Sequence, residues 1–488
     1  MSSSPSLVGR ATLAVALMIG FYALALAMAA GLLWLPYAEW TYAHRIHPKL
    51  ALFCVVGAGA ILVSIVPRID RFEAPGPRLD PAEQPRLFRE VREIARAAGQ
   101  APPAEVYLVN DVNAWVAQRG GWMGFASRPV MGLGLPLMSR LSVPEFRGVL
   151  AHEFGHYCGG DTRLGPWVYK TRAAIGRTLQ SLADSALQKP FIWYGNMFLR
   201  VTHAISRAQE LAADALAARI VGAQAMVRGL TAVHGAGQTF GHYWSGEAVP
   251  VLSAGFLPSL TDGFRRFLDE KQVAEAVARG VAQEMAEGKA DPYDTHPPLR
   301  ERIAALRNLP PGDAPGEEPS ALALLDDVPA LERRLLATMA GDDAVAKLQP
   351  VGWEEAGGRV FLPQWRAAVQ KHAGGLGGLT PAALPERAKS PRELARTVLG
   401  LNARVPVPDE NIQEAAGVVG CALAVALQAG GHSLRCVPGA PISFHHGERQ
   451  VEPFGVVAAL AEGRLSATEW QATCEAFRIA EVDLGRLA

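Results

Sequence analysis

"VLAHEFGHYCGGD", residues 149–161, contains His152-Glu153-Phe154-Gly155-His156. The surrounding pattern makes this stretch a helix. Ser142 followed by Glu145 forms a capping box, Pro144 sits in the first turn where it costs little, and Gly159-Gly160 ends the run. Residues four apart share one helix face, so His152 and His156 can aim two ring nitrogens at a single ion about 2.0–2.1 Å away. Glu153 then points to the side where a water on that ion would sit, placed to take its proton.

A catalytic zinc needs a third protein ligand and an open fourth position. Downstream, "SRAQELAAD" (206–214) puts Glu210 and Asp214 one turn apart on one helix face. Glu210 completes the ligand set. Asp214 is placed to accept the second N–H of a ligand histidine and fix its tautomer. The expected cofactor is one Zn²⁺ per chain. A competing assignment makes Glu210 a solvated helix position, but its neighbours Leu211, Ala212, Ala213 and Ala215 do not suit a surface helix.

Outward from this core, two apolar runs decide the location. Residues 11–35 carry no charge over 25 positions, and residues 50–66 carry none over 17. At 1.5 Å per residue the first crosses a bilayer core of about 30 Å, and the second lies at the short limit. A cleaved signal peptide is the alternative, yet the first run exceeds the usual apolar core of about 7–15 residues. The reading is a transmembrane hairpin that binds the chain to the lipid bilayer of the cell (inner) membrane. Arg10, Arg68, Arg71 and Arg78 flank the spans on one side and Arg45 and Lys49 on the other, so the bulk of the chain is expected in the cytoplasm.

The 488 residues carry 47 basic and 47 acidic side chains, which gives no electrostatic footprint for nucleic acid. The five cysteines (Cys54, Cys158, Cys421, Cys436, Cys474) are scattered and form no CxxC pair; they read as reduced thiols filling space. His445-His446 are adjacent on an extended stretch and so face opposite ways, which argues against a metal pair.

The expected division is a tail over 1–10, the hairpin over 11–67, a catalytic domain over 68–310, a Pro/Gly-rich linker over 311–319, and an accessory region of unknown role over 320–488. In the catalytic domain, "EVYLVND" (105–111) reads as a strand. "RPVMGLGLPLM" (128–138) reads as another, with Pro129 and Pro136 favouring an edge that a substrate peptide could pair with.

"HEFGH", then "SRAQELAAD", then "THPPLRERIAAL" (295–306), with Asn113 of "NAW" and Asp161 of "GGD", together resemble the zinc metallopeptidase family of the heat-shock protease HtpX and the CaaX prenyl protease. The likeness covers about residues 81–309. It implies an α+β, mainly helical zincin-like domain with a small sheet whose edge aligns protein or peptide substrates. Carried over, it makes His152, His156 and Glu210 zinc ligands and Glu153 the general base. It likens His296 and Arg302 to a pair that supports the oxyanion, and Asn113 to a residue lining the cleft. The chain also departs from the family. HtpX-like relatives place membrane spans between the active-site helix and the third ligand, but here that stretch holds Lys170, Arg172, Arg177, Asp184 and Lys189; only residues 190–199 are strongly apolar. Two spans cannot build the prenyl protease's many-helix chamber, so a CaaX substrate is not expected. The alternatives are a non-catalytic membrane scaffold with a structural metal and a partner-binding C-terminal region, or a peptidase whose C-terminal region covers its own cleft.

Overall fold

The computed structural model describes residues 7–66, 72–119, 128–156, 165–288, 297–312, 316, 318–402 and 404–487. The chain forms two compact units that interleave in sequence. The first takes 1–237 and 278–328, the second 238–277 and 329–488. The division therefore falls at neither end of the expected linker.

In the first unit, α1 (Leu7–Ala43) and α2 (Pro48–Ile65) form the apolar membrane-spanning hairpin. Phe21, Ala25, Ala29, Cys54, Ala58 and Ile61 are buried between helices, whereas Ile19, Leu26, Leu52, Val55, Val56 and Val63 are exposed. Such an outward apolar face is at home only in hydrocarbon. Trp34, Tyr37, Trp40 and Tyr42 stand exposed towards the loop end of α1, as in an interfacial aromatic belt.

The helix α3 (Pro85–Ala97) buries Leu87, Val91 and Ile94 on one face. Three strands follow, β1 (Glu105–Val109), β2 (Ala114–Arg119) and β3 (Arg128–Gly134), in the order β1-β3-β2. β3 pairs parallel with β1 and antiparallel with β2. The expectation of an edge strand over 128–138 is thus corrected: β3 is central. Its prolines are tolerated because Pro129 lies at the strand's start and Pro136 lies in the first turn of α4 (Leu135–Arg140). The outer edge of β1 is covered by the preceding segment, through Leu79 N–H to Val106 O at 2.8 Å and Leu108 N–H to Pro77 O at 3.0 Å. Among the described residues no strand covers the outer edge of β2.

Next come α5 (Val143–Gly155), α6 (Gly165–Ser181) and the 34-residue α7 (Gln188–Val221). The charged stretch between α5 and Glu210 is therefore a helical hairpin, and it packs against α1 and α2. Tyr194 donates to Leu17 O at 2.7 Å, Ser64 and Thr178 hydroxyls meet at 2.7 Å, and Arg177 Nε donates to Ser64 O at 3.1 Å near the end of α2. Phe191 and Phe198 are buried there, while Ile192 and Trp193 face outwards.

Described residues in and beside the proline-rich stretch expected as a linker bond to the first unit. Ala223 and Gln224 N–H, opening α8 (Ala223–Tyr243), donate to Pro310 and Pro311 O at 3.1 and 3.0 Å. Val143 N–H donates to Pro319 O at 2.9 Å and Ala321 N–H to Leu141 O at 2.8 Å. Arg228 links Glu145 and Glu318, each at 3.0 Å.

The second unit begins within α8 and includes α9 (Val249–Ser253) and α10 (Leu260–Asp269). Its two sequence segments are tied by a parallel strand pair, Phe256–Leu257 with Gln349–Pro350. Its core surrounds the helix Asp409–Ala429, where Val418, Val419 and every residue from Ala422 to Leu427 are buried. This is a third helix long and apolar enough to cross a membrane, but over half of it is inside the protein, against a third or less for the other two. It is apolar all round because protein surrounds it. The expected hairpin-like region is a three-stranded antiparallel sheet, in which His445 contacts Ser443 Oγ at 3.0 Å and His446 packs edge-on to His432. Cys54, Cys421, Cys436 and Cys474 are free thiols, and burial pushes Cys436 up to about 12. Cys158 lies outside the described residues.

Candidate metal centre

The centre is built on α5 and α7. The Ser142 N–H donates to Glu145 Oε2 at 2.9 Å, so the predicted cap starts α5 in register. Phe146, Leu150 and Phe154 recur every four residues and bury one side of the helix; His152 and His156 occupy another.

The two helices approach closely because of a glycine inside the motif itself. A Cβ on Gly155 would stand 2.8 Å from Ala213 Cα and 3.0 Å from Ala213 Cβ. With Ala217 and Ala218 also buried on α7, this small-residue contact lets the backbones meet and carries Glu210 to the histidines. A Gly155→Leu change is expected to cost about 1–3 kcal/mol by forcing the helices apart, and to loosen metal binding with it. Thermal unfolding and zinc content of the variant read both. Wild-type values in both would contradict this account of the crossing.

His152 Nε2 lies 3.5 Å from Glu210 Oε2, and His156 Nε2 lies 3.4 Å from Glu210 Oε1. These separations run to the two oxygens of one carboxylate, and one ligand atom from each of the three residues lies within 4.8 Å of the others, close enough to share an ion. Two imidazoles and one carboxylate are also the donor types that suit zinc. Among the described residues this is the cluster that can hold a metal ion.

The electrostatics favour a cation at the same place. Glu210 and Asp214 are buried carboxylates, which need opposite charge nearby. Burial works against a charged His152, yet Asp214 and Glu210 outweigh it and raise the imidazole to about 9. A field that holds a proton this firmly also favours a divalent ion between the same groups. His152 Nδ1 faces Asp214 Oδ1 at 2.9 Å. Glu153 is half-buried on α5, near enough for its charge to act on both His152 and Arg302.

Arg302 belongs to α12 (Leu299–Leu306), reached after α11 (Lys271–Glu287). Its Nε and Nη2 donate to Asp214 Oδ2 and Oδ1 at 2.8 and 2.7 Å. Burial opposes ionisation of Asp214, but Arg302 and then His152 prevail and hold its carboxyl below the usual range. Spacing alone had not exposed this ion pair; the available hint was one arginine among the apolar positions Leu299, Ile303 and Leu306. Asn113 is exposed immediately before β2. Its carbonyl accepts the Gly134 N–H at 2.9 Å, a contact that a Cβ on Gly134 would obstruct at 2.6 Å. His296 and Asp161 lie outside the described residues.

Comparison with known proteins agrees with this chemistry. Residues 81–310 match peptidase family M48. The chain is 26% identical to Protease HtpX of Ectopseudomonas mendocina over 291 residues, covering 54% of this chain and 88% of the relative. It is 25% identical to Protease HtpX of Hahella chejuensis, covering 53% and 85%. Against Protease HtpX of Pseudomonas aeruginosa the identity is 27%, covering 45% and 71%. The match is distant and partial, and most of the second unit lies outside the family region. No solved structure matches.

Proposed function

We propose that this chain is a membrane-anchored zinc endopeptidase whose catalytic unit faces the cytoplasm and cleaves proteins at the membrane surface, in membrane-protein quality control or regulated proteolysis. The observation that carries this reading is the convergence of His152, His156 and Glu210, with one ligand atom of each within 4.8 Å of the others, inside the family-matched region of a chain that begins with a membrane hairpin. These three residues would hold zinc, which when bound supplies a Lewis acid for the scissile carbonyl and lowers the pKa of a coordinated water. Glu153 takes the water's proton and returns it to the leaving amine. His296 stabilises the developing oxyanion. The outer edge of β2, which pairs with no strand among the described residues and follows Asn113, accepts the substrate as an added strand. The anchor limits substrates to those that reach the bilayer, and the arginine excess beside the spans supports the cytoplasmic side.

A structural zinc usually has four protein ligands, and the cluster among the described residues has three, which favours an open, reactive site over a scaffold. Metal analysis of the detergent-solubilised full chain tests the proposal. One zinc per chain is expected, with its loss in His156→Ala. A wild-type protein with no zinc, indistinguishable from the variant, would sink it.

A further inference from the structure

We propose that Arg302 is a positioning residue that sets the zinc affinity of the centre through Asp214, and that it does not donate to the oxyanion. The inference rests on the zinc reading above and departs from the role the family resemblance implied. Arg302 and Asp214 form a two-pronged pair, with both oxygens of the carboxylate engaged at 2.7 and 2.8 Å. This geometry needs the planar guanidinium fork. Asp214 Oδ1 is at once the atom facing His152 Nδ1 at 2.9 Å. Arg302 Nη2 also lies 3.6 Å from Glu210 Oε2, so one cation touches the carboxylate behind the histidine and a proposed ligand itself.

The arrangement solves a specific problem. Asp214 and Glu210 are one turn apart on α7, both almost wholly buried. Two such buried anions need an opposite charge close by. The guanidinium fork supplies it and holds the Asp214 carboxylate with Oδ1 against His152 Nδ1, behind the proposed ligand atom. Arg302 thereby fixes the plane of Asp214. It can do so because Leu299, Ile303 and Leu306 are buried and seat α12. With its Nε and Nη2 turned to these carboxylates and only 6% of the residue exposed, the guanidinium leaves little surface for a substrate carbonyl to meet.

The test is zinc affinity of the full chain in detergent, measured by competition with a chromophoric chelator. Kinetics and the melting of zinc-free protein are followed in parallel. Arg302→Lys keeps the charge and loses the fork; Arg302→Met loses both. Zinc binding is expected to weaken about 10- to 100-fold in Arg302→Met and by less in Arg302→Lys. Asp214→Asn should weaken it similarly, and the double variant Asp214→Asn/Arg302→Met should be no weaker than the worse single one. Should Arg302→Met fail to fold, Arg302→Lys and the charge-free double variant carry the measurement. Unchanged affinity in the folded variants, with only kcat reduced, would overturn the inference in favour of an oxyanion donor. A wild-type chain that binds no zinc would overturn the parent reading instead.

Discussion

Glu153→Gln is expected to lower kcat for casein cleavage by about 100- to 10,000-fold while the zinc content stays at the wild-type level. The amide has nearly the shape of the carboxylate, so α5 and the small-residue crossing at Gly155 are preserved. His152, His156 and Glu210, whose nitrogens and oxygens stand 3.4–3.5 Å apart, are untouched. What is lost is a base one position from His152 on a helix whose register is set by the Ser142 cap. The amide also removes a negative charge felt by His152 and Arg302, so zinc binding is the control that separates base chemistry from a weakened site. A variant with full turnover excludes Glu153 as the base; one that has lost zinc indicates damage to the ligand set.

Truncation after Leu309 is expected to abolish the folded catalytic unit and so to give no activity, where removal of a cleft-covering segment would raise it. Pro310, Pro311 and Pro319 supply backbone acceptors for the start of α8 and for the first residue of α5. Glu318 meets Ser142 Oγ at 2.8 Å, and Asp326 O accepts from Gln84 Nε2 at 3.0 Å. Each lost hydrogen bond contributes about 1 kcal/mol, and Arg228 would keep Glu145 but lose the Glu318 carboxylate. Folded proteins have only about 5–15 kcal/mol in hand. Residues 238–277 would also lose the rest of their unit. Zinc retention and protease resistance of the shortened chain decide the matter; faster cleavage by a stable truncated chain would reinstate autoinhibition.

Much of the architecture was legible in the sequence, for reasons that can be named. The hairpin followed from uninterrupted apolar runs, which need only length. The helix at Val143–Gly155 followed from its cap and four-residue periodicity. Glu210 and Asp214 were visible as acids in an alanine-rich helix. Elsewhere local rules gave the wrong answer. Prolines in 128–138 suggested an edge strand, but one opens β3 and the other opens a helix, so neither interrupts the ladder. Composition marked a linker over 311–319, and could not show that the carbonyls of Pro310, Pro311 and Pro319 accept from the helices that begin at Ala223 and Val143.

By itself, the order of residues determined which side chains could share a helix face and which segments were apolar enough for lipid. Both are short-range properties of 3.6-residue periodicity and of transfer from water. Tertiary structure alone decided that Ala213 would rest on Gly155, that Arg302 would close on Asp214 from 88 positions away, and that Asp409–Ala429 would be wrapped in protein. Those outcomes depend on surfaces brought together across long stretches of chain, where complementary shape and charge, absent from any local window, select the partner.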